Sequence, residues 1–184
     1  MEELIDVLDR FGNKTGIVKT KDEVMKKGDW HRAISVIIMN SDNEILFQKR
    51  SSERVVYPNL WSMFLKGHIE SGEESFMAAI REIFEEIGIM VGIDELTYLY
   101  TITDSNKTGI LKENIFFDTY LLKKDISLSD IKMSNEVSDV EFLTLEEAKY
   151  LVDSGNKQIV SNTKDYQIIF SFIKNDKTKK LIKK

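Results

Sequence analysis

Three glutamates, Glu82, Glu85 and Glu86, stand at i, i+3 and i+4, the spacing that gathers side chains on one face of a helix. The stretch from Glu73 to Ile87 carries helical periodicity. Counting about 100° per residue from Phe76, the apolar positions Phe76, Ile80, Ile83, Phe84 and Ile87 share an arc of about 100°, and the glutamates lie near 240°, 180° and 280°. The pattern predicts a helix whose apolar stripe meets the core and whose three carboxylates converge on the side facing away from it. Like charges so placed cost a bare helix about 0.2–0.5 kcal/mol per pair. They also lie toward its C-terminal half, where the macrodipole disfavours anions. A bound cation would offset both penalties. With no Cys and two His in the chain, hard oxygen donors favour Mg²⁺ or Mn²⁺ over zinc. By itself, however, an acidic run is more often a solvated face with Lys or Arg partners.

The elements needed to position this helix are legible on both sides of it. Ser71 with Glu74 offers a capping box before it, and Gly88 a C-terminal stop after it. Residues 1–29 read as an N-terminal hairpin: a strand near Leu4–Leu8, a turn at Gly12-Asn13, a strand over Thr15–Thr20, then a short polar segment Lys21–Lys27 before Gly28. Strands follow at Ala33–Met39 and Glu44–Lys49 around the turn residues Ser41-Asp42-Asn43. Val55–Lys66 holds the single proline, Pro58, then Trp61 and a further short strand. Beyond the glutamate helix, strands are expected at Leu96–Thr103, Ile115–Leu122 and Val140–Leu143. Helices are expected at Leu145–Asp153, opened by Thr144, and near Lys164–Lys174. Short hairpin connections mean the strands cannot all be parallel, so the expected class is α/β, a mixed sheet sandwiched by helices.

Composition sets the outer bounds. No Pro/Gly/Ser-rich linker, low-complexity tract or repeat interrupts the 184 residues, so a single domain spanning 1–184 is expected. The absence of Cys excludes disulfides, zinc-thiolate sites and cysteine nucleophiles. The longest apolar run, Ala33–Met39, is strand-sized and far short of a membrane span. The N-terminus MEELIDVLD is acidic, unlike a secretory or transit signal, which makes the cytoplasm the default location. The net charge is −5. Residues 174–184 hold six Lys and one Asp, a basic tail expected to be solvated and frayed. The first 173 residues carry 20 basic and 30 acidic side chains, which argues against a nucleic-acid groove.

The segment Gly67-His-Ile-Glu-Ser-Gly-Glu73, seven further residues, then Arg81-Glu-Ile-Phe-Glu-Glu-Ile-Gly-Ile89 resembles without a mismatch the signature of the Nudix hydrolases. That signature reads G, five residues, E, seven residues, R-E-U-x-E-E-x-G-U, with U aliphatic. Seven positions are fixed and two class-restricted, so chance agreement is on the order of one in ten million. The resemblance implies a Nudix-type α/β/α sandwich around a mixed β-sheet, with residues 67–89 as loop–helix–loop. It further implies a hydrolase that directs water at a diphosphate linkage of a nucleoside diphosphate derivative, a small molecule. Carried over position by position, Glu82, Glu85 and Glu86 are the metal ligands, for Mg²⁺ or Mn²⁺. Glu73 and Arg81 pair to brace loop against helix, and Gly67 and Gly88 permit the tight turns. The family draws its general base from more than one place, and Glu82, Glu113 and Glu136 are candidates here. Arg50 and Lys66 are candidates for phosphate contact. Trp61 and Phe64 are candidates for contact with a base, although core packing is the commoner job for either.

The resemblance extends over about residues 30–145. His31-Arg-Ala-Ile-Ser-Val, Leu46-Phe-Gln-Lys-Arg50, Pro58-Asn-Leu-Trp61, Gly67-His68 and Asn135-Glu136-Val137 look like isopentenyl diphosphate isomerase and its hydrolase relatives. In those isomerases the histidines matching His31 and His68 bind a metal, which makes the two a candidate second site; ordinary packing is the alternative for each. Two departures speak against isomerisation. The isomerases place a Cys before the Gly-His pair, where this chain has Lys66, expected to be a solvated ammonium attracted to phosphate. They also keep only the acid matching Glu86, whereas all three are present here. A hydrolase is expected, with an isomerase or a catalytically silent nucleotide-binding module as alternatives. Homodimerisation is the base-rate expectation for a small enzyme, and no stretch marks an interface.

Overall fold

The computed structural model describes residues 2–182 apart from 109–110, 156–157 and 161–162. Its organising element is β3 (Trp30–Met39), an Ile- and Val-rich run buried along nearly its whole length. Such two-sided burial is what a continuous apolar run demands of a strand. One edge of β3 pairs in parallel with β8 (Leu111–Lys123), from Trp30↔Asn114 to Met39↔Lys123. Its other edge is shared among antiparallel neighbours. The hairpin strand β1 (Leu4–Leu8) meets it at Trp30, β6 (Leu65–His68) over Ala33–Val36, and β4 (Ile45–Arg50) at Met39. The remaining strands extend these neighbours: β2 (Lys14–Thr20) on β1, β5 (Trp61–Ser62) and β9 (Val137–Leu143) on β4, and β7 (Leu96–Thr108) on β8. The result is one mixed nine-stranded sheet.

Because successive strand side chains point to opposite faces, β3 supplies two cores. Ile34, Val36 and Ile38 pack against α2 (Ser75–Ile87). Ile37 and Met39 pack with Phe47 and Met63 against α3 (Leu145–Asp153) and α4 (Thr163–Ile182), through Ala148, Tyr166, Ile169 and Ile173. The α/β/α sandwich expected from the sequence is the observed architecture. Burying each large aliphatic side chain contributes about 1.5–3 kcal/mol, so both helical layers are driven onto the sheet.

Four expectations are corrected. Lys21–Lys27 is a helix, α1, started by a capping box between Thr20 and Glu23 and stopped by Gly28 at φ 72°; its charged exterior hid the buried pair Val24 and Met25. The capping box before α2 does not form. Glu74 takes the N-cap position without a side-chain bond, and Ser71 Oγ donates instead to Asp6 at 2.6 Å. The third helix is longer than Lys164–Lys174: its backbone stays helical to Ile182, and the side chains of the basic tail beyond Lys174 lie outside the described residues.

The fourth correction concerns the roll of α2. Its buried residues are Ala78, Ala79, Ile83, Glu86 and Ile87, while Phe84 is 55% exposed. On the same angular scale the buried arc centres near 300°, about 90° from the stripe read off the sequence. The helix approaches the sheet through the two alanines, whose small side chains allow close contact, and the bulkier Phe84 is left outside. The three glutamates therefore do not share an outward face: Glu86 sits within the buried arc.

Candidate active site

A cleft of about 810 Å³, lined in part by β6 and α2, collects most of the residues singled out by the sequence. Strand alternation places Gly67 toward α2, and Lys66 and His68 toward the other face. An ideal Cβ built on Gly67 would lie 1.9 Å from Glu82 Cδ, so only glycine lets the glutamate pass that close to the strand. At the far end of α2, Gly88 adopts φ 72° and its N–H caps the Phe84 carbonyl at 2.9 Å. The returning chain satisfies two more terminal carbonyls, through Lys132 N to Ile87 O and Ser134 N to Glu86 O, each 2.9 Å. The C-terminal end of α2 is thus fixed.

Arg81 is the hub of the acidic face. Its Nε and Nη2 donate to the two Glu73 oxygens at 3.0 and 2.9 Å, and Nη2 also donates to the His68 carbonyl at 2.9 Å. Its Nη1 donates to Glu82 Oε1 at 2.8 Å and Glu85 Oε2 at 3.0 Å. Burial alone would lower the Arg81 pKa, but Glu73 and Glu82 more than offset it and hold the guanidinium charged. Glu73 itself accepts the Glu70 N–H at 3.1 Å, so the Arg81–Glu73 pair ties residues 67–73 to α2.

Glu82 and Glu86 occupy the interior side of this face. Burial pushes the Glu82 carboxyl up to about 7 against the opposing pull of Arg81. Burial, reinforced by the charge of Glu82, pushes Glu86 up to about 8, with Gln48 acting in the opposite sense. Glu86 Oε2 is buried and has no hydrogen-bond partner. An orphaned buried carboxylate oxygen is costly, and a hard cation would satisfy it. Among the described residues no three acidic or histidine side chains form a ready-made metal cluster. The reason is geometric: Arg81 Nη1 lies between Glu82 and Glu85. Glu85, with its side chain 54% exposed, is the solvent-facing member of the three.

The other predicted residues divide between the cleft and the core. Arg50, Lys66, His68, Glu113 and Glu136 line the cleft. Arg50 spends Nε on the Val56 carbonyl at 2.9 Å. Glu136 is ion-paired with Arg54. The Glu113 side chain makes no hydrogen bond or ion pair among the described residues, and burial followed by the charge of Asp104 raises its pKa. Lys66 is not the solvated ammonium expected. Its Nζ lies 4.1 Å from the Phe117 ring centroid, 5.4 Å from that of Phe64 and 3.9 Å from Asp165 Oδ2, and burial lowers its pKa. Trp61 lies outside the cleft. It packs against the Ile37–Phe47–Met63 core, and its backbone bonds to Gln158 O at 2.7 Å and from Val160 N at 2.9 Å. His31 is fully buried and stacks on His68 with centroids 5.3 Å apart. Burial depresses both imidazoles, and the Nε2 atom of each has no partner.

Sequence reading missed Gln48, Arg54 and Tyr57 at this site. Gln48 left a signal: it shares the parity of Leu46 on β4, so a polar residue interrupts the α2-facing row. Arg54 and Tyr57 lie in a loop where no periodicity exists to read.

The NUDIX domain profile matches residues 29–163. The chain belongs to the Nudix family. It is 34% identical over 84% of its length to an uncharacterized Nudix hydrolase of Listeria monocytogenes, of which the match covers 87%. It is also 34% identical, over 79% of its length, to Nudix hydrolase 3 of Arabidopsis thaliana, but the match spans one fifth (20%) of that longer protein. An isopentenyl-diphosphate Delta-isomerase of Pectobacterium atrosepticum is 30% identical, with 77% of this chain and 76% of that one covered. In fold, a crystal structure from Deinococcus radiodurans superposes with a TM-score of 0.66 over 90% of this chain and 98% of that one, at 22% identity. The chain is therefore a Nudix-type hydrolase of diphosphate, that is acid-anhydride, linkages. Among its described residues no helix is long and apolar enough to cross a membrane.

Proposed function

We propose that this Nudix chain cleaves the diphosphate linkage of a nucleoside diphosphate derivative, using a divalent cation, Mg²⁺ or Mn²⁺, held by Glu82, Glu85 and Glu86. The observation that carries the reading is the pairing of part-buried Glu82 with buried Glu86 at the cleft, with Glu86 Oε2 unpartnered and Gly67 opened to admit Glu82. The donor set is all hard oxygen, which suits these ions. When bound, the ion supplies charge neutralisation of the diphosphate and acidification of a water.

The chain's own groups do the rest. Arg81 and Glu73 fix the loop that presents Gly67 against Glu82. Arg50, with Nε committed to the loop, has its remaining guanidinium nitrogens for phosphate oxygens. Among the base candidates, Glu82 is bound by Arg81 and Glu136 by Arg54. Glu113 lines the cleft without such a partner, and burial raises its pKa, which makes it a stronger proton acceptor than an exposed carboxylate; it is the base this reading assigns. The N-terminal hairpin belongs to the same unit, since Glu3 and Lys21 line the cleft.

The isomerase alternative needs an acid able to protonate an alkene. Lys66 stands where that branch carries its Cys, and its ammonium is held between two aromatic rings and the Asp165 carboxylate, so the branch's thiol acid has no counterpart here. The test is a panel of nucleotide sugars, dinucleotides, ADP-ribose-like compounds and non-nucleotide diphosphates, each with Mg²⁺ and with Mn²⁺, products resolved by mass. Cleavage of nucleoside diphosphate derivatives supports the reading. Conversion of isopentenyl diphosphate to its isomer with no hydrolysis anywhere in the panel overturns it, as does tight nucleotide binding without turnover.

A further inference from the structure

One wall of the cleft, residues 51–60 between β4 and β5, is built in costly backbone. Tyr57 has φ 54° and Asn59 φ 60°, on either side of Pro58. The left-handed region is unfavourable for L-residues, tolerated by Asn through its short polar side chain but not by an aromatic. The residue before a proline is in addition pushed toward extended backbone. Such a conformation persists only where its surroundings enforce it, and it concentrates at ligand-binding segments.

The surroundings here do enforce it. Arg50 N donates to Leu60 O at 2.9 Å, Asn59 N to Arg50 O at 3.1 Å and Ser51 N to Glu136 O at 2.8 Å. The Arg50 side chain grips the Val56 carbonyl, immediately before Tyr57, at 2.9 Å. Arg54 pairs with Glu136 across the base of the loop. What this arrangement holds in place is an aromatic ring that lines the cleft and is 40% exposed. The other aromatics lining the cleft are buried: Phe64 and Phe117 have Lys66 Nζ over their faces, and Tyr166, on α4, is packed in the core.

We propose that Tyr57 is the stacking platform for the nucleobase of the substrate, so that the nucleoside half lies along residues 51–60 and its phosphates pass Arg50 toward the glutamates. This rests on the reading that the substrate is a nucleoside diphosphate derivative. Stacking tolerates any base because every base has a π-face, so the loop selects for a nucleoside and leaves base identity to other contacts. The strained backbone fixes the ring before the ligand arrives, which reduces the ordering cost of binding.

The experiment compares binding of AMP, GMP, CMP and UMP with ribose 5-phosphate, which carries the same phosphate and no base. The full-length protein and its Tyr57→Ala, Tyr57→Phe and Tyr57→Gly variants are titrated calorimetrically. Wild type should prefer the tightest nucleotide over ribose 5-phosphate. Tyr57→Ala and Tyr57→Gly should weaken that nucleotide by about 5- to 150-fold, the range for loss of one base–aromatic stack, and leave ribose 5-phosphate unchanged. Tyr57→Phe should retain the preference. Tyr57→Gly, relieved of strain, should melt no lower than wild type while losing the preference. Equal weakening of nucleotide and ribose 5-phosphate would overturn the proposal, as would undiminished nucleotide binding by Tyr57→Ala. If nucleoside diphosphates are cleaved but Tyr57→Ala binds nucleotides normally, the platform falls and the hydrolase reading stands. If wild type shows no preference for a base and cleaves only non-nucleotide diphosphates, the nucleoside reading falls and takes the platform with it.

Discussion

Substituting Gly67 by alanine adds a single methyl group, and the structure says where it goes. The new Cβ would lie 1.9 Å from Glu82 Cδ, 2.1 Å from Oε1 and 2.3 Å from Cγ. Ordinary contact begins near 3.4 Å, so the carboxylate must retreat by about 1.5 Å or the strand must move away from α2. Overpacking of this kind costs about 1–3 kcal/mol. Misplacing a catalytic group by about 1 Å can cost about 100-fold in rate, so Gly67→Ala should lose at least that factor in kcat. The assay is steady-state turnover on a substrate found in the panel, together with melting temperatures of Gly67→Ala, Glu82→Ala and the double variant. Removing the Glu82 side chain removes the clash. The stability loss from Gly67→Ala should therefore shrink in the Glu82→Ala background, a coupling of the size contacting residues show. Wild-type turnover in Gly67→Ala, or strict additivity of the two stability changes, would refute the close approach and the placement of Glu82 with it.

Arg81→Ala should lower both melting temperature and activity, because it releases Glu73, Glu82, Glu85 and the His68 carbonyl together; an unchanged melting temperature would contradict its bracing role. Glu86→Gln should keep the fold, seen as an unaltered circular dichroism spectrum, and lower turnover by at least about 100-fold if the cation supplies several kcal/mol; a fully active variant would contradict this. Glu113→Gln should lower kcat while leaving Mn²⁺ affinity as in wild type, and a shift in Mn²⁺ affinity would move Glu113 from base to ligand. His31 is held neutral by burial, with its pKa below the ordinary 6.5. As pH falls below about 6.5 the unfolded chain takes up a proton that the folded chain refuses, so stability is full above that pH and declines beneath it. Melting temperatures at pH 7.5 and 5.5 should show the decline, and His31→Gln should reduce it.

What could be read from the sequence was whatever short spacing encodes. The strand cores and the existence of α2 depend on neighbours within a turn or a strand, and their periodicity survives in the bare sequence; the roles of Gly67, Gly88 and the Arg81–Glu73 pair came instead from the resemblance to the Nudix signature. The roll of α2 does not, because it is decided by how closely Ala78 and Ala79 approach the sheet, and alanine counts weakly in any apolar arc. For the same reason Glu86 looked outward while the structure buries it. Lys66 was misjudged by type: the ammonium was assigned to water, but Phe64 and Phe117 offer it aromatic faces; Trp61 packs against the core, its commoner role, and its backbone pairs with Ile159. α1 was hidden because five of its seven residues are charged, and two buried side chains are too few to set a period. The loop carrying Tyr57 and Arg54 has no period at all, and its shape is fixed by hydrogen bonds to residues as distant as Glu136.

In the reaction proposed, water attacks a phosphorus atom of a diphosphate under control of the three glutamates. Turnover in water enriched in heavy oxygen tests it directly, with products analysed by mass and parallel reactions in excess chelator. One heavy oxygen is expected in one of the two phosphate-bearing products, with no incorporation into recovered substrate and no reaction once the divalent ion is chelated. Products free of heavy oxygen, or undiminished turnover in chelator, would contradict it.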